Sequence, residues 1–90
     1  MKILITHGTD RLLDTAAALA GANLYKVIVM TGSFKPERFK GSDAEFNVGL
    51  AFGALQVLQR PGVYVAMNGF VSEWSKVRRD SDNGKFFVFY

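Results

Sequence analysis

Lys2-Ile3-Leu4-Ile5-Thr6-His7-Gly8-Thr9-Asp10 is the stretch whose reading decides the fold. A short apolar run, Ile3 to Ile5, breaks off at His7-Gly8, and Thr9-Asp10 supplies N-cap chemistry just beyond it. Leu12, Leu13, Ala16, Ala17, Leu19 and Ala20 then recur at helical spacing, with Gly21 as the stop. The passage reads as strand, tight loop, helix.

The same rhythm repeats downstream. Residues 27–31 form a second β-branched, uncharged run of the kind found in buried strands. Residues 32–41, with Pro36 and three basic residues, read as a loop. Ser42-Asp43 then caps a second helix, apolar nearly all round, with Gly49 and Gly53 four apart, which ends at the Arg60-Pro61-Gly62 breaker. Residues 63–67 make a third strand, followed by Asn68-Gly69, a short charged stretch, a turn at Asp82-Asn83-Gly84 and the aromatic tail 86–90. Strand, helix, strand, helix, strand predicts an α/β fold: a three-layer parallel sheet of βαβαβ type, a flavodoxin- or Rossmann-like half with right-handed crossovers. The tail is a candidate extra strand, added to the sheet edge or to a neighbouring subunit.

Composition narrows the classes. A 90-residue chain buries only about 60–65% of its unfolded surface. Yet 49% of its residues are hydrophobic and 13% aromatic, too rich for disorder. A homo-oligomer is the expected way to cover the surplus apolar surface. There is no cysteine and only one histidine, His7, so neither thiolates nor a histidine cluster can hold a metal, and no cofactor or metal is expected. The net charge of +3 gathers at Lys76, Arg78 and Arg79 and around Lys35, Arg38 and Lys40 rather than along one face, so nucleic acid is not an expected partner. No run approaches the ~20 apolar residues of a membrane span and no signal peptide precedes the first strand, so a cytoplasmic protein with no membrane partner is expected.

Ligands of open α/β sheets sit beyond the carboxyl ends of the strands. Three loops bring glycine and small polar groups to that edge: His7-Gly8-Thr9-Asp10, Thr31-Gly32-Ser33 and Asn68-Gly69. A hydroxyl beside a carboxylate at the start of a helix suits orienting a water or holding an ammonium group. Plain N-capping by Thr9 or Asp10 is the competing explanation. Gly8 is expected to supply a positive φ or a close backbone approach. His7, solitary at a strand end, reads first as a structural group. No phosphate loop, dinucleotide fingerprint or nucleophile elbow is present.

Taken in order, residues 3–10, Asp14-Thr15-Ala16, residues 26–32, Pro36, Ser42-Asp43 with Phe46-Asn47, and residues 62–68 resemble the bacterial-type L-asparaginase/glutaminase family. The match runs over nearly the whole chain and looks nearest to short members holding only the amino-terminal, active-site domain. The resemblance implies hydrolysis of a side-chain amide by two threonines: a nucleophile in a Thr-Gly-Gly-Thr-Ile stretch, and a relay threonine that works with a lysine and an aspartate. It makes Thr9 the relay threonine, Asp10 the aspartate that binds the substrate's amino group, Gly8 and Thr9 backbone N–H donors, and Ser33 the residue whose carbonyl meets the substrate amide. Asparagine or aspartate is the implied ligand.

Two departures from the family pattern shape the expectation. These residues hold no Thr-Gly-Gly-Thr segment, so the chain reads as one domain over 1–90, truncated at its amino terminus. The family's relay lysine, counted on from Met67-Asn68, falls on Arg79. A guanidinium holds its proton and shuttles it poorly, although it can anchor a carboxylate. Lys76 replaces it only under a different loop register. The expected function is therefore an asparaginase-like domain, catalytically impaired when alone. The alternatives are an oligomeric partner-binding module, or an amidohydrolase completed by another subunit. Loss of the upstream strands also predicts a naked sheet edge.

Overall fold

A computed structural model describes residues 1–34 and 42–89. The expected loop carrying Pro36, Lys35, Arg38 and Lys40, and the final Tyr90, lie outside those residues.

Strand β1 (Lys2–Thr6) leads through a 3₁₀ turn (Thr9–Arg11) into helix α1 (Leu12–Gly21). Strand β2 (Val27–Thr31), helix α2 (Ala44–Val57) and strand β3 (Gly62–Met67) follow as expected. The three strands pair in parallel in the order β1-β2-β3, with Lys2 opposite Val27 and Val27 opposite Gly62. The period of two along β2 separates its side chains cleanly. Ile28 and Met30 join Leu12 and Ala16 of α1 in one cluster, while Val27 and Val29 join Ala51 of α2 in the other. One helix on each face makes three layers, and the middle strand is buried throughout.

The two crossovers do not share a hand. In β2, the Val27 N–H donates to the Met1 carbonyl and the Thr31 carbonyl accepts from the His7 N–H, so odd residues turn their backbone groups toward β1. The Lys26 carbonyl accepts from Gly62 on the β3 side. For an L-residue in a strand drawn upward, a side chain toward the viewer places its own N–H and C=O to the right. Val27 and Val29 point toward α2, so from that side β1 lies right of β2 and β3 lies left. The β2–α2–β3 connection therefore passes leftward in front of the sheet and is left-handed, whereas β1–α1–β2 is right-handed. The rule of right-handed crossovers, which holds in about 98% of cases, predicts otherwise for the second unit.

Two further elements replace the expected charged stretch. Asn68 (φ 49°) and Gly69 (φ 92°) form a tight turn into β4 (Phe70–Glu73), which pairs antiparallel with β3. Positive φ at both central residues is the requirement that Asn-Gly meets. After a second 3₁₀ turn (Trp74–Lys76), β5 (Val77–Arg79) pairs antiparallel with β6 (Phe86–Val88) around the Asp82-Asn83-Gly84 turn. The aromatic tail is thus a strand, but of a separate two-stranded sheet rather than of the main sheet's edge. Its inner residues Val77 and Phe86 complete the α1-side cluster. At the opposite border β1 has β2 on one side only, so the sheet presents the expected edge there, among the described residues. No helix of the described residues is long and apolar enough to cross a membrane.

Candidate functional site

The carboxyl ends of β1, β2 and β3 are tied together by polar bonds around a buried amide. Asn47, the inward-facing polar residue of α2, is completely buried. Its Nδ2 donates to the Gly32 carbonyl (2.8 Å) and to Asp43 Oδ2 (3.1 Å), and its Oδ1 accepts from the Asn68 N–H (3.0 Å). One side chain thereby fixes the loops after β2 and β3 against the start of α2. Thr31, also fully buried, donates from Oγ1 to the Ala66 carbonyl at 2.6 Å. The Gly32 N–H points at Met67 Sδ, 3.3 Å away. The Asp43 carboxylate also accepts from the Phe34 N–H (3.1 Å), and Ser42 Oγ accepts from Ala44, the first residue of α2. Ser42 thus satisfies the first N–H of α2, whereas Asp43, at the N-cap position, makes no side-chain cap bond and is bonded to the loop after β2 instead.

Close approach between β1 and β2 is made by Gly32, not Gly8. Gly8 is extended (φ −61°, ψ 144°), and a Cβ there would meet nothing within 4 Å. The expectation of a positive φ or a close contact at Gly8 fails on both counts. A Cβ on Gly32 would lie 2.3 Å from the His7 carbonyl oxygen, so only glycine lets the chain leave β2 along this line.

His7 is engaged locally. Its Nδ1 meets the Gly8 carbonyl at 2.7 Å and its Nε2 meets Thr15 Oγ1 at 2.9 Å. A carbonyl only accepts, so Nδ1 carries a proton and, in the neutral ring, Nε2 accepts from the threonine hydroxyl. The imidazole braces the β1 loop on α1, which is the structural role its solitary position suggests.

Thr9 and Asp10 begin the 3₁₀ turn, and neither caps it: Gly8 holds the N-cap position without a side-chain bond. The Thr9 side chain turns toward β2, its methyl 3.5 Å from where a Gly32 Cβ would stand. Its hydroxyl forms no hydrogen bond with a described residue. Asp10, with 91% of its side chain exposed, is paired with Arg79, Nη1 to Oδ1 at 3.1 Å. Sixty-nine positions apart in sequence, these two expected site residues meet because the β5–β6 hairpin folds back onto the α1 face. Arg79 is held in place: Nε donates to the Gly84 carbonyl at 2.9 Å, and the guanidinium carbon lies 5.6 Å from the centre of the Phe86 ring. Phe86 in turn stacks on Phe34 at 5.8 Å, linking the hairpin to the loop after β2. Lys76, the other basic candidate, pairs with Glu73 at 3.8 Å. Ser33 is half-buried beside Gly32 and shares no described contact with Thr9 or Asp10.

The described residues contain no group of three or more histidine, cysteine, aspartate or glutamate side chains able to hold a metal ion. Asn47 and Thr31 are the organising residues, and the sequence offers Asn47 only within the Phe46-Asn47 match and Thr31 only as one small polar group at the strand edge. The available signal was an amide on the inner side of an apolar helix, and a hydroxyl at the end of a fully buried strand.

The fold is a three-layer α/β domain with a hydroxyl and a carboxylate, Thr9 and Asp10, just beyond the end of its first strand. The family model of the asparaginase amino-terminal domain matches residues 2–84, so the chain belongs to the asparaginase family. No curated protein matches the chain.

Proposed function

We propose that this is a single asparaginase-like domain, working in the cytoplasm, that retains the amino-acid-binding half of the family's site and is impaired in hydrolysis when alone. The carrying observation is the Arg79–Asp10 pair. Where the family's pattern has a lysine to pass a proton, a guanidinium is pinned by Gly84, Phe86 and Asp10. Such a group stabilises negative charge but does not trade protons. Thr9, next to Asp10 in the chain, bonds to no described residue through its hydroxyl, and in this reading the relay threonine lacks its proton shuttle.

In this reading Asp10 takes the ammonium group of asparagine or aspartate, Arg79 attracts its carboxylate, and Gly8 and Thr9 supply backbone donors. Ser33 offers its carbonyl to the amide. Hydrolysis would still require an attacking hydroxyl from outside these 90 residues. Loss of a nucleophile in comparable hydrolases costs on the order of 10⁶ in rate. Isothermal titration with aspartate and asparagine tests the binding half. Heat at millimolar ligand that disappears in Asp10→Asn is expected, and a silent titration with the wild-type chain removes the proposal.

A second reading, an amidohydrolase completed by another subunit, is favoured by the border of β1, which pairs with no second strand among the described residues and so leaves room for one carrying the attacking group. Ammonia release from asparagine and glutamine decides it. Turnover that survives Thr9→Ala speaks against this site as its origin.

A further inference from the structure

Helix α2 is covered on one side only. Asn47 and Ala51 face the sheet, while Phe46, Phe52 and Val57 are 62%, 56% and 75% exposed. At 100° per residue these three do not scatter: they flank a strip made by Glu45, Gly49, Gly53 and Gln56. A Cβ on either glycine would meet nothing within 4 Å, so no contact with a described residue accounts for them. Glycine is among the least favourable residues in a helix interior. Two of them at the bottom of an aromatic-walled furrow, facing open space, suit the close approach of another backbone.

Charge identifies the occupant. Glu45 stands at the amino end of this face. At the carboxyl end Lys2 reaches across from β1, its Nζ 3.1 Å from the Gln56 carbonyl. Among the described residues the face is thus acidic at one end, basic at the other and apolar between, which makes it complementary to itself turned end for end. We propose that α2 docks antiparallel on α2 of a second copy of this chain about a two-fold axis near Ala51. That register sets Glu45 of each copy opposite Val57 and next to Gln56 of the other, within reach of its Lys2. Each Phe52 lies over the other copy's Gly49 and Gly53. The arrangement is isologous, as two-fold pairs are, and the helix dipoles run in opposition. It uses none of the residues assigned to the amino-acid site.

Sedimentation velocity on the wild-type chain over a micromolar to submillimolar range tests the proposal, and a concentration-dependent dimer is expected. Gly53→Leu fills the furrow from the outside without touching the core, so it folds, and it should abolish the dimer. Phe52→Ala should weaken it by at least about tenfold, as loss of a central aromatic anchor does. Glu45→Lys and Lys2→Glu should each weaken association, and the double variant should recover it. Gly49→Ala with Gly53→Ala separates the proposal from a merely solvated face. Better helix propensity raises the melting temperature of the isolated monomer, yet the variant should dimerise less. A wild-type monomer at the highest concentration, a Gly53→Leu chain as dimeric as the parent, or charge reversals without effect would each overturn it.

Discussion

Replacing Asn47 by leucine removes the bonds that hold the strand ends together while keeping the same branched, four-atom side-chain skeleton. Two of the lost hydrogen bonds join neutral groups, the Gly32 carbonyl and the Asn68 N–H, and the third goes to the Asp43 carboxylate. Neutral bonds contribute about 1 kcal/mol each and a bond to a charged group about 1.5–3 kcal/mol, a gross loss of roughly 4 kcal/mol. Asn68 is exposed and Asp43 half-buried, so water recovers part of it. The buried leucine recovers a little more, leaving a net cost of about 3 kcal/mol. A chain of this length is stable by roughly 5–13 kcal/mol in total, so the change removes a quarter or more. Urea unfolding should show the midpoint falling with an unchanged slope. In a domain this small the melting temperature should drop by about 12–24 °C. Asn47→Asp should cost at least as much at neutral pH, because it turns a carboxylate toward both Asp43 and the Gly32 carbonyl. A loss below about 1 kcal/mol for Asn47→Leu would refute the view that this amide organises the site.

Three other substitutions probe the same region. Gly32→Ala forces a methyl against the His7 carbonyl and should destabilise by about 2–4 kcal/mol or prevent folding, read as soluble yield and melting temperature. Thr31→Val keeps the shape of a fully buried side chain but leaves the Ala66 carbonyl without its 2.6 Å donor, and should cost about 1–2 kcal/mol by chemical denaturation. Arg79→Ala breaks a pair whose acid is almost fully in water, but it also removes the guanidinium's bond to the Gly84 carbonyl and its contact with the Phe86 ring, so stability should fall by about 1–3 kcal/mol. Aspartate binding by calorimetry should also weaken. Equal affinity in that variant would detach Arg79 from the ligand.

The principal sheet was legible because its signals are strong and local. Residues 27–31 are apolar and β-branched because both faces of β2 are covered, and the abrupt ends at His7-Gly8 and Thr31-Gly32 coincide with the ends of strands. Strand β4 was missed for a physical reason: its four residues alternate between half-buried and exposed, so Phe70-Val71-Ser72-Glu73 shows no apolar run. Its turn was visible, since Asn68-Gly69 is a strong hairpin signal, but the pair was read as a ligand loop. Composition also located the aromatic tail as a strand without saying which strand it would meet. Arg79 was reachable by counting from Met67-Asn68, whereas its contact with Asp10 depends on a hairpin no local pattern specifies. Asn47 stood in plain view, yet only packing shows that a lone amide on an apolar helix is satisfied by two loops at once.

The opposed hands of the two crossovers bear on how so short a polypeptide can have an interior at all. Strands laid down in sequence, each step turning the same way, would stack both helices on one side and leave the other side of the sheet wet. Val27, Val29, Tyr64 and Ala66 would then face solvent with nothing above them. Reversing a single step lets a pair of helices roof and floor three strands, a coverage that same-handed windings reach only by adding more chain. The uncommon turn of the path is thus a form of thrift: it encloses the middle strand on every side with the fewest residues.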